Sequence, residues 1–146
     1  MLAAGNNDGD MYIMNLEEKS KNKKDKLVSF KPHYKMIRSI SFSEDVSKII
    51  TGSDDQTLKI FDIVSEKVVS SYDSHKEAVS CVQAHPTDNK IAFSCSFDKS
   101  IKIWDLRMKG CLDTFQSGSA LWALSCIGRN LVAGGENGVL SIFSIE

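Results

Sequence analysis

Neither sign of charge dominates this chain of 146 residues. With 18 Lys and Arg against 19 Asp and Glu, its formal net charge is −1. That balance gives no basic field for nucleic acid and no acidic one for basic partners. No apolar run approaches the roughly 18 residues of a helical membrane span, so no membrane partner is expected. The N-terminus, MLAAGNNDGD, lacks a charged leader followed by an apolar stretch, so it does not read as a signal peptide. The four cysteines (Cys81, Cys95, Cys111 and Cys126) include no CxxC pair. They are expected as buried, reduced thiols of a cytoplasmic or nuclear protein rather than as disulfides or zinc ligands. A helical period is missing as well: no ten-residue stretch repeats apolar residues at the spacing of a helix face.

What the chain does have is one phrase written four times. The copies are Ala4–Leu16 (AGNNDGDMYIMNL), Thr51–Ile63 (TGSDDQTLKIFDI), Ser94–Leu106 (SCSFDKSIKIWDL) and Ala133–Ile145 (AGGENGVLSIFSI). They recur at spacings of 47, 43 and 39 residues. A period near forty, with a small-residue strand, an Asp or Asn turn and an apolar strand in each unit, marks a repeat architecture. A unit of this size cannot bury its own apolar faces and must stack on its neighbours. The third unit predicts strands over 78–82, 90–96, 100–104 and 111–115, with a tight turn at Phe97-Asp98-Lys99. The second predicts strands over 37–42, 48–53, 57–61 and 68–72. Many short strands bounded by Asp, Asn, Gly and Ser predict an all-β sandwich, barrel or propeller. Residues 17–26 (EEKSKNKKDK) break the pattern and read as a charged loop insertion; such a basic run can also serve as a phosphate contact or localisation signal.

These units resemble the WD-repeat family of β-propellers. His75, Ser94, Asp98 and Trp104, followed by Asp105, stand where that family carries His, Ser/Thr, Asp and Trp-Asp. The resemblance implies a hydrogen-bonded tetrad of these four side chains within one blade. An indole N–H, a hydroxyl, an imidazole and a carboxylate can satisfy one another there. The second unit offers a partial tetrad of His33, Thr51 and Asp55, with Phe61 in place of the Trp. The fourth has Ser117, Ala133, Asn137 and Phe143, and the first has Ala4, Asp8 and Met14. Within the family, the order MIRSISF, SDDQTLKIFD, FDKSIKIWDLRMKG and ALWALS is similar to the C-terminal half of a small WD-repeat subunit. That subunit type is shared by the superkiller RNA-decay complex and the Paf transcription-elongation complex.

Counting strands gives three, four, four and three, about three and a half blades in an incomplete ring. The expected blades cover 1–30 (first strand missing), 37–72, 78–115 and 121–146 (last strand missing). Propellers typically have four to eight blades, so self-association or additional N-terminal blades are expected to complete the ring. Open sheet edges invite such pairing.

The candidate catalytic residues reduce to structural ones. His33 and His75 fall in the repeat register, and so do Asp55 and Asp98. His85 precedes Pro86 in a surface turn with no ligand-spaced partner. Gly134, Gly135 and Gly138 suggest a phosphate loop, but no helix follows to supply the dipole; they read as a hairpin turn. No Ser-His-Asp triad survives the register. No enzyme activity, metal or cofactor is expected. The expected function is a scaffold binding proteins or peptides in a multiprotein complex, the resemblance placing that complex in RNA decay or transcription elongation. Asp54 and Phe97 in the inter-strand turns are expected on one rim with Asn7 and Glu136. Tyr34, Met36, Lys76 and Ala78 should lie beside them, with Trp122 near the central channel. Phe97 and Trp122 are the expected hot spots. An alternative rests on Trp104-Asp105-Leu106-Arg107, a WD-x-R sequence that in some family members docks the adaptor of a cullin-RING ubiquitin ligase. There Arg107 would contribute a bidentate guanidinium; the plainer reading makes it a solvated loop residue.

Overall fold

A computed structural model describes residues 1–15, 27–108 and 110–145. The charged insertion expected at 17–26 therefore lies outside the described residues. Fourteen strands form four antiparallel sheets of three, four, four and three strands, and no helix occurs among the described residues. The first blade holds β1 (Leu2–Gly5), β2 (Met11–Met14) and β3 (Val28–Phe30). The second holds β4 (Ile37–Phe42), β5 (Lys48–Ser53), β6 (Leu58–Asp62) and β7 (Lys67–Tyr72). The third is built from β8 (Val79–Ala84), β9 (Ile91–Ser96), β10 (Ser100–Asp105) and β11 (Cys111–Gln116). The fourth has β12 (Leu121–Ile127), β13 (Asn130–Gly135) and β14 (Leu140–Ser144).

Alternation along the strands decides how blades stack. In the second blade, Ile50 pairs with Ile60 and Gly52 with Leu58, which sets these apolar residues on the face toward the third blade. They meet Val79, Val82, Ala92 and Trp104 there. Phe93, Ile101 and Ile103 repeat the arrangement toward Leu121, Leu124, Leu131 and Ala133 of the fourth blade. Met11 and Ile13 of the first blade meet Ile37, Ile49 and Phe61. The core is thus three sandwiches between successive blades, not one interior. Glycine permits the closest approaches: a Cβ on Gly52 would come within 2.7 Å of Cγ1 atoms on both Val79 and Val82.

Side-chain acceptors tie one inner strand to the next. The Ser39 and Ser41 hydroxyls on β4 accept from the Val82 and Ala84 amides on β8, at 3.1 and 3.0 Å. Gln83 Oε1 on β8 accepts from the Cys126 amide on β12 at 2.7 Å. In this way the free edges of the inner strands find partners across the blade gap.

The turns between second and third strands repeat as well. Gly9, Gln56, Lys99 and Gly138 all have positive φ, at 86°, 71°, 69° and 73°. Glycine takes this left-handed conformation freely, whereas Gln56 and Lys99 pay steric strain. Asp55 and Asp98 offset it, their carboxylates accepting the Thr57 and Ser100 amides at 3.1 and 2.9 Å. In the first blade Asp8 is exposed, and the Asn6 carboxamide takes the turn amides of Asp8 and Asp10 instead.

Candidate functional site

Four side chains of the third blade form a directed chain of hydrogen bonds. Trp104 Nε1–H donates to Ser94 Oγ at 2.8 Å, and Ser94 Oγ lies 2.7 Å from His75 Nε2. His75 Nδ1 lies 2.9 Å from Asp98 Oδ2. An ionised carboxylate only accepts, so Nδ1 carries the proton and Nε2 accepts from the Ser94 hydroxyl. Asp98 also receives the Lys76 amide at 2.9 Å and the Ser100 hydroxyl at 2.6 Å. Its own burial opposes ionisation, but the hydrogen bonds from His75, Ser100 and Lys76 outweigh this and hold the carboxyl well below the usual range.

The second blade keeps three of these four parts. His33 Nδ1 and Nε2 lie 2.8 Å from Asp55 Oδ2 and from Thr51 Oγ1. Phe61 fills the Trp position and packs on Phe30, ring centroids 4.4 Å apart. Burial pushes the His33 imidazole down in pKa, against the opposing pull of Asp55. Burial alone would raise the Asp55 carboxyl, yet hydrogen bonds from Thr57 and His33 leave it lowered. Among the described residues, no buried side-chain nitrogen or oxygen lacks a partner.

A rim lies at the end of the blades that carries the turns between second and third strands. The Asp54, Phe97 and Glu136 amides bond to the Met36, Ala78 and Ala120 carbonyls at 3.0, 3.2 and 2.8 Å. This pins each turn against the residue that precedes the inner strand of the same blade. Those inner strands carry bulges at Arg38, Ser80 and Trp122. A bulge re-aims its side chain out of the ladder, and here Arg38 and Trp122 converge on one ring. Phe97 packs against Trp122 with centroids 4.6 Å apart, and the Arg38 guanidinium lies 5.1 Å from the Phe97 centroid. Arg38 is fixed in turn by a two-pronged ion pair with Asp54. Trp122 remains 55% exposed and Tyr34 70%, with Lys76 also exposed. Met36 and Phe97 are half-buried.

Arg38 was missed in the sequence. Its signal was present, because positions 38, 80 and 122 recur at a spacing of 42 residues within the inner strands, but a bulge is invisible to simple strand alternation. Arg107 belongs elsewhere: it follows β10 in the loop at the other end of the blade from the Phe97 turn. Its Nε and Nη2 donate to the two Asp105 oxygens at 2.9 and 2.5 Å, while 61% of the side chain stays exposed. That pairing lowers the Asp105 carboxyl and raises the guanidinium. His85 sits in its turn against Phe93, ring centroids 5.7 Å apart. No group of three or more His, Cys, Asp or Glu side chains suited to a metal occurs among the described residues.

Comparison with known proteins agrees with this geometry. The family model described as "WD domain, G-beta repeat" matches residues 24–62 and 66–105. Mitogen-activated protein kinase kinase kinase A of Dictyostelium discoideum is 32% identical over 116 residues, 77% of this chain and 12% of the relative. Nuclear distribution protein PAC1 of Candida dubliniensis is 33% identical over 141 residues, 94% of this chain and 27% of the relative. The U3 small nucleolar RNA-associated protein 15 homolog of Xenopus tropicalis is 30% identical over 107 residues, 73% of this chain and 20% of the relative. The chain thus spans roughly a quarter or less of the length of these relatives.

Proposed function

The chain belongs to the WD40 repeat family, and on that premise we propose that it is a non-catalytic scaffold whose Phe97–Trp122 rim binds a protein or peptide partner. One observation carries this reading: a half-exposed indole packed at a 60° tilt against Phe97, with Arg38 over the same ring, spans three blades in a single patch. Tryptophan and arginine dominate binding energy where they sit in packed, partly desolvated clusters. Arg38 is pre-positioned by Asp54, so little side-chain entropy remains to be lost on binding. The buried, fully hydrogen-bonded tetrad and partial tetrad make the blades beneath the rim rigid. A photo-cross-linking residue placed at the exposed position 76, with Trp122 kept and a second probe at position 107, tests this in cells. The expected result is adducts with a defined set of proteins from position 76 only.

Placement in an RNA-decay or transcription-elongation complex, and a cytoplasmic or nuclear location, is the finer form of this proposal. It is supported by the order of the four motifs in the sequence. The names of the relatives, one a nuclear distribution protein and one associated with a small nucleolar RNA, fit the same compartments. A second reading, a cullin-RING substrate receptor acting through Arg107, is favoured by the exposure of that side chain. The clamp by Asp105 counts against it, since the bidentate donors are already engaged. Adducts from position 107 would favour it.

The ring-completing partner is part of the proposal too. Leu140 and Ile142 are 70% and 69% exposed, while their register equivalents Leu58, Ile60, Ile101 and Ile103 are no more than 6% exposed. The outer face of the fourth blade therefore carries the pattern of a blade interface without a neighbour. A second copy or a further blade would cover it.

A further inference from the structure

The repeats supply their own controls for the cysteines. Cys81 on β8 is the direct cross-strand partner of Cys95 on β9. The register-equivalent pairs are Ser39 with Gly52 in the second blade and Ala123 with Gly134 in the fourth. Those two pairs hold no sulfur, so the fold does not require thiols at this place. Both thiols pack with one cluster, between the third and fourth blades.

Directly opposed residues of an antiparallel pair stand about 4.5–5.5 Å apart at Cα. Disulfides need roughly 4.4–6.8 Å, so the backbone already has the required spacing. Cys95 is fully buried, whereas Cys81 is partly exposed on the inner strand. The Ser39 hydroxyl lies 3.8 Å from Cys81 Sγ, and the Ser80 hydroxyl 3.4 Å from Cys95 Sγ. We propose that Cys81 and Cys95 are a peroxide-responsive thiol pair that closes to a reversible disulfide.

The neighbouring Cys95 thiol makes the Cys81 proton easier to lose, while the same neighbour and burial push Cys95 up. The reachable sulfur is accordingly the one that forms a thiolate, which is the nucleophile in such chemistry. It attacks one peroxide oxygen, forming an S–O bond as the O–O bond breaks and hydroxide leaves. Cys95 then attacks the Cys81 sulfenic sulfur. The S–S bond forms, the S–O bond breaks, and the Cys95 proton leaves with the departing hydroxide as water. Two thiols and one hydrogen peroxide give one disulfide and two waters. A dithiol reductant reverses the step.

Trypsin cuts after Lys76, Lys90 and Lys99, which puts the two cysteines on peptides 77–90 and 91–99. The reduced chain is exposed to hydrogen peroxide, blocked with iodoacetamide, digested without reductant and mapped by mass spectrometry. The expected result is a cross-link between those two peptides, a fall from four free thiols to two, and full reversal by dithiothreitol. Cys95→Ser is expected to stop the reaction at a dimedone-reactive sulfenic acid on Cys81. The wild-type map decides the question alone if that variant does not fold. Peptides 77–90 and 91–99 both recovered alkylated while Cys111 is oxidised, or a bond from Cys81 to Cys111 or Cys126, would overturn the proposal.

Discussion

Trp104 gives its indole N–H to the Ser94 hydroxyl at 2.8 Å, while Phe61, its register equivalent one blade earlier, has no hydrogen to give Thr51. The two blades otherwise share one network. The complete tetrad has one more fixed bond, and its acceptor end is concentrated on a single carboxylate. Asp98→Ala leaves the His75 Nδ1–H and the Lys76 and Ser100 amides without that acceptor. It is expected to cost about 1–3 kcal/mol, the usual range for unpaired buried donors. Urea denaturation measures it; an unchanged midpoint would remove the tetrad from the stability account.

Acid should destabilise this fold in two stages. His33 has a lowered folded pKa, so below about 6.5, its ordinary value, the unfolded chain binds the proton more readily and stability begins to fall. Asp55 and Asp98 have lowered folded pKa values as well. Their contribution is fully present above roughly 3.9 and disappears as pH drops through their folded values. Urea midpoints at pH 7, 5.5 and 3.5 should decline in that order. In His33→Gln the decline from 7 to 5.5 should shrink, and a wild-type decline retained in full would assign it elsewhere.

The strand order and blade count were legible because the strands are short, mostly rich in apolar and β-branched residues, and bounded by turns of Asp, Asn, Gly or Ser. The tetrad was legible in part, since His75, Ser94, Asp98 and Trp104 keep the family spacing. The rim was harder. Phe97 and Trp122 were visible as aromatics near turns, but Arg38 acquires its place only through the bulge between Ile37 and Ser39. Strand alternation cannot show a bulge, so the ion pair to Asp54 was hidden too. The Cys81–Cys95 pairing was hidden by the bulge at Ser80 in the same way.

Two glycines at equivalent positions should respond differently to one added methyl group. Gly52→Ala forces a Cβ to 2.7 Å from Val79 and Val82, whereas at Gly134 the nearest atom is Leu140 Cδ2 at 3.7 Å. Overpacking costs about 1–3 kcal/mol, so Gly52→Ala should lower the melting temperature, and Gly134→Ala should leave it unchanged when measured at dilutions that keep the chain monomeric. Equal losses would indicate that the fourth blade is covered as the second one is.

Covering of that outer face is tested by sedimentation equilibrium. Apolar patches of this kind seldom remain open in a monomer, so the 146-residue chain should self-associate. Ile142→Lys should shift it toward monomer by placing a charge on the patch. A wild-type monomer with sharp, cooperative unfolding would contradict this.

The most direct test of the scaffold reading is quantitative co-purification of partners with the wild-type chain, Trp122→Ala and Arg107→Ala, alongside each variant's melting temperature. The account predicts that Trp122→Ala loses its partners at least about tenfold, as expected for a hot spot worth about 1.4 kcal/mol or more, with folding intact. Arg107→Ala should retain them. Full partner recovery with Trp122→Ala and loss with Arg107→Ala would contradict it and move the binding surface to the opposite end of the blades.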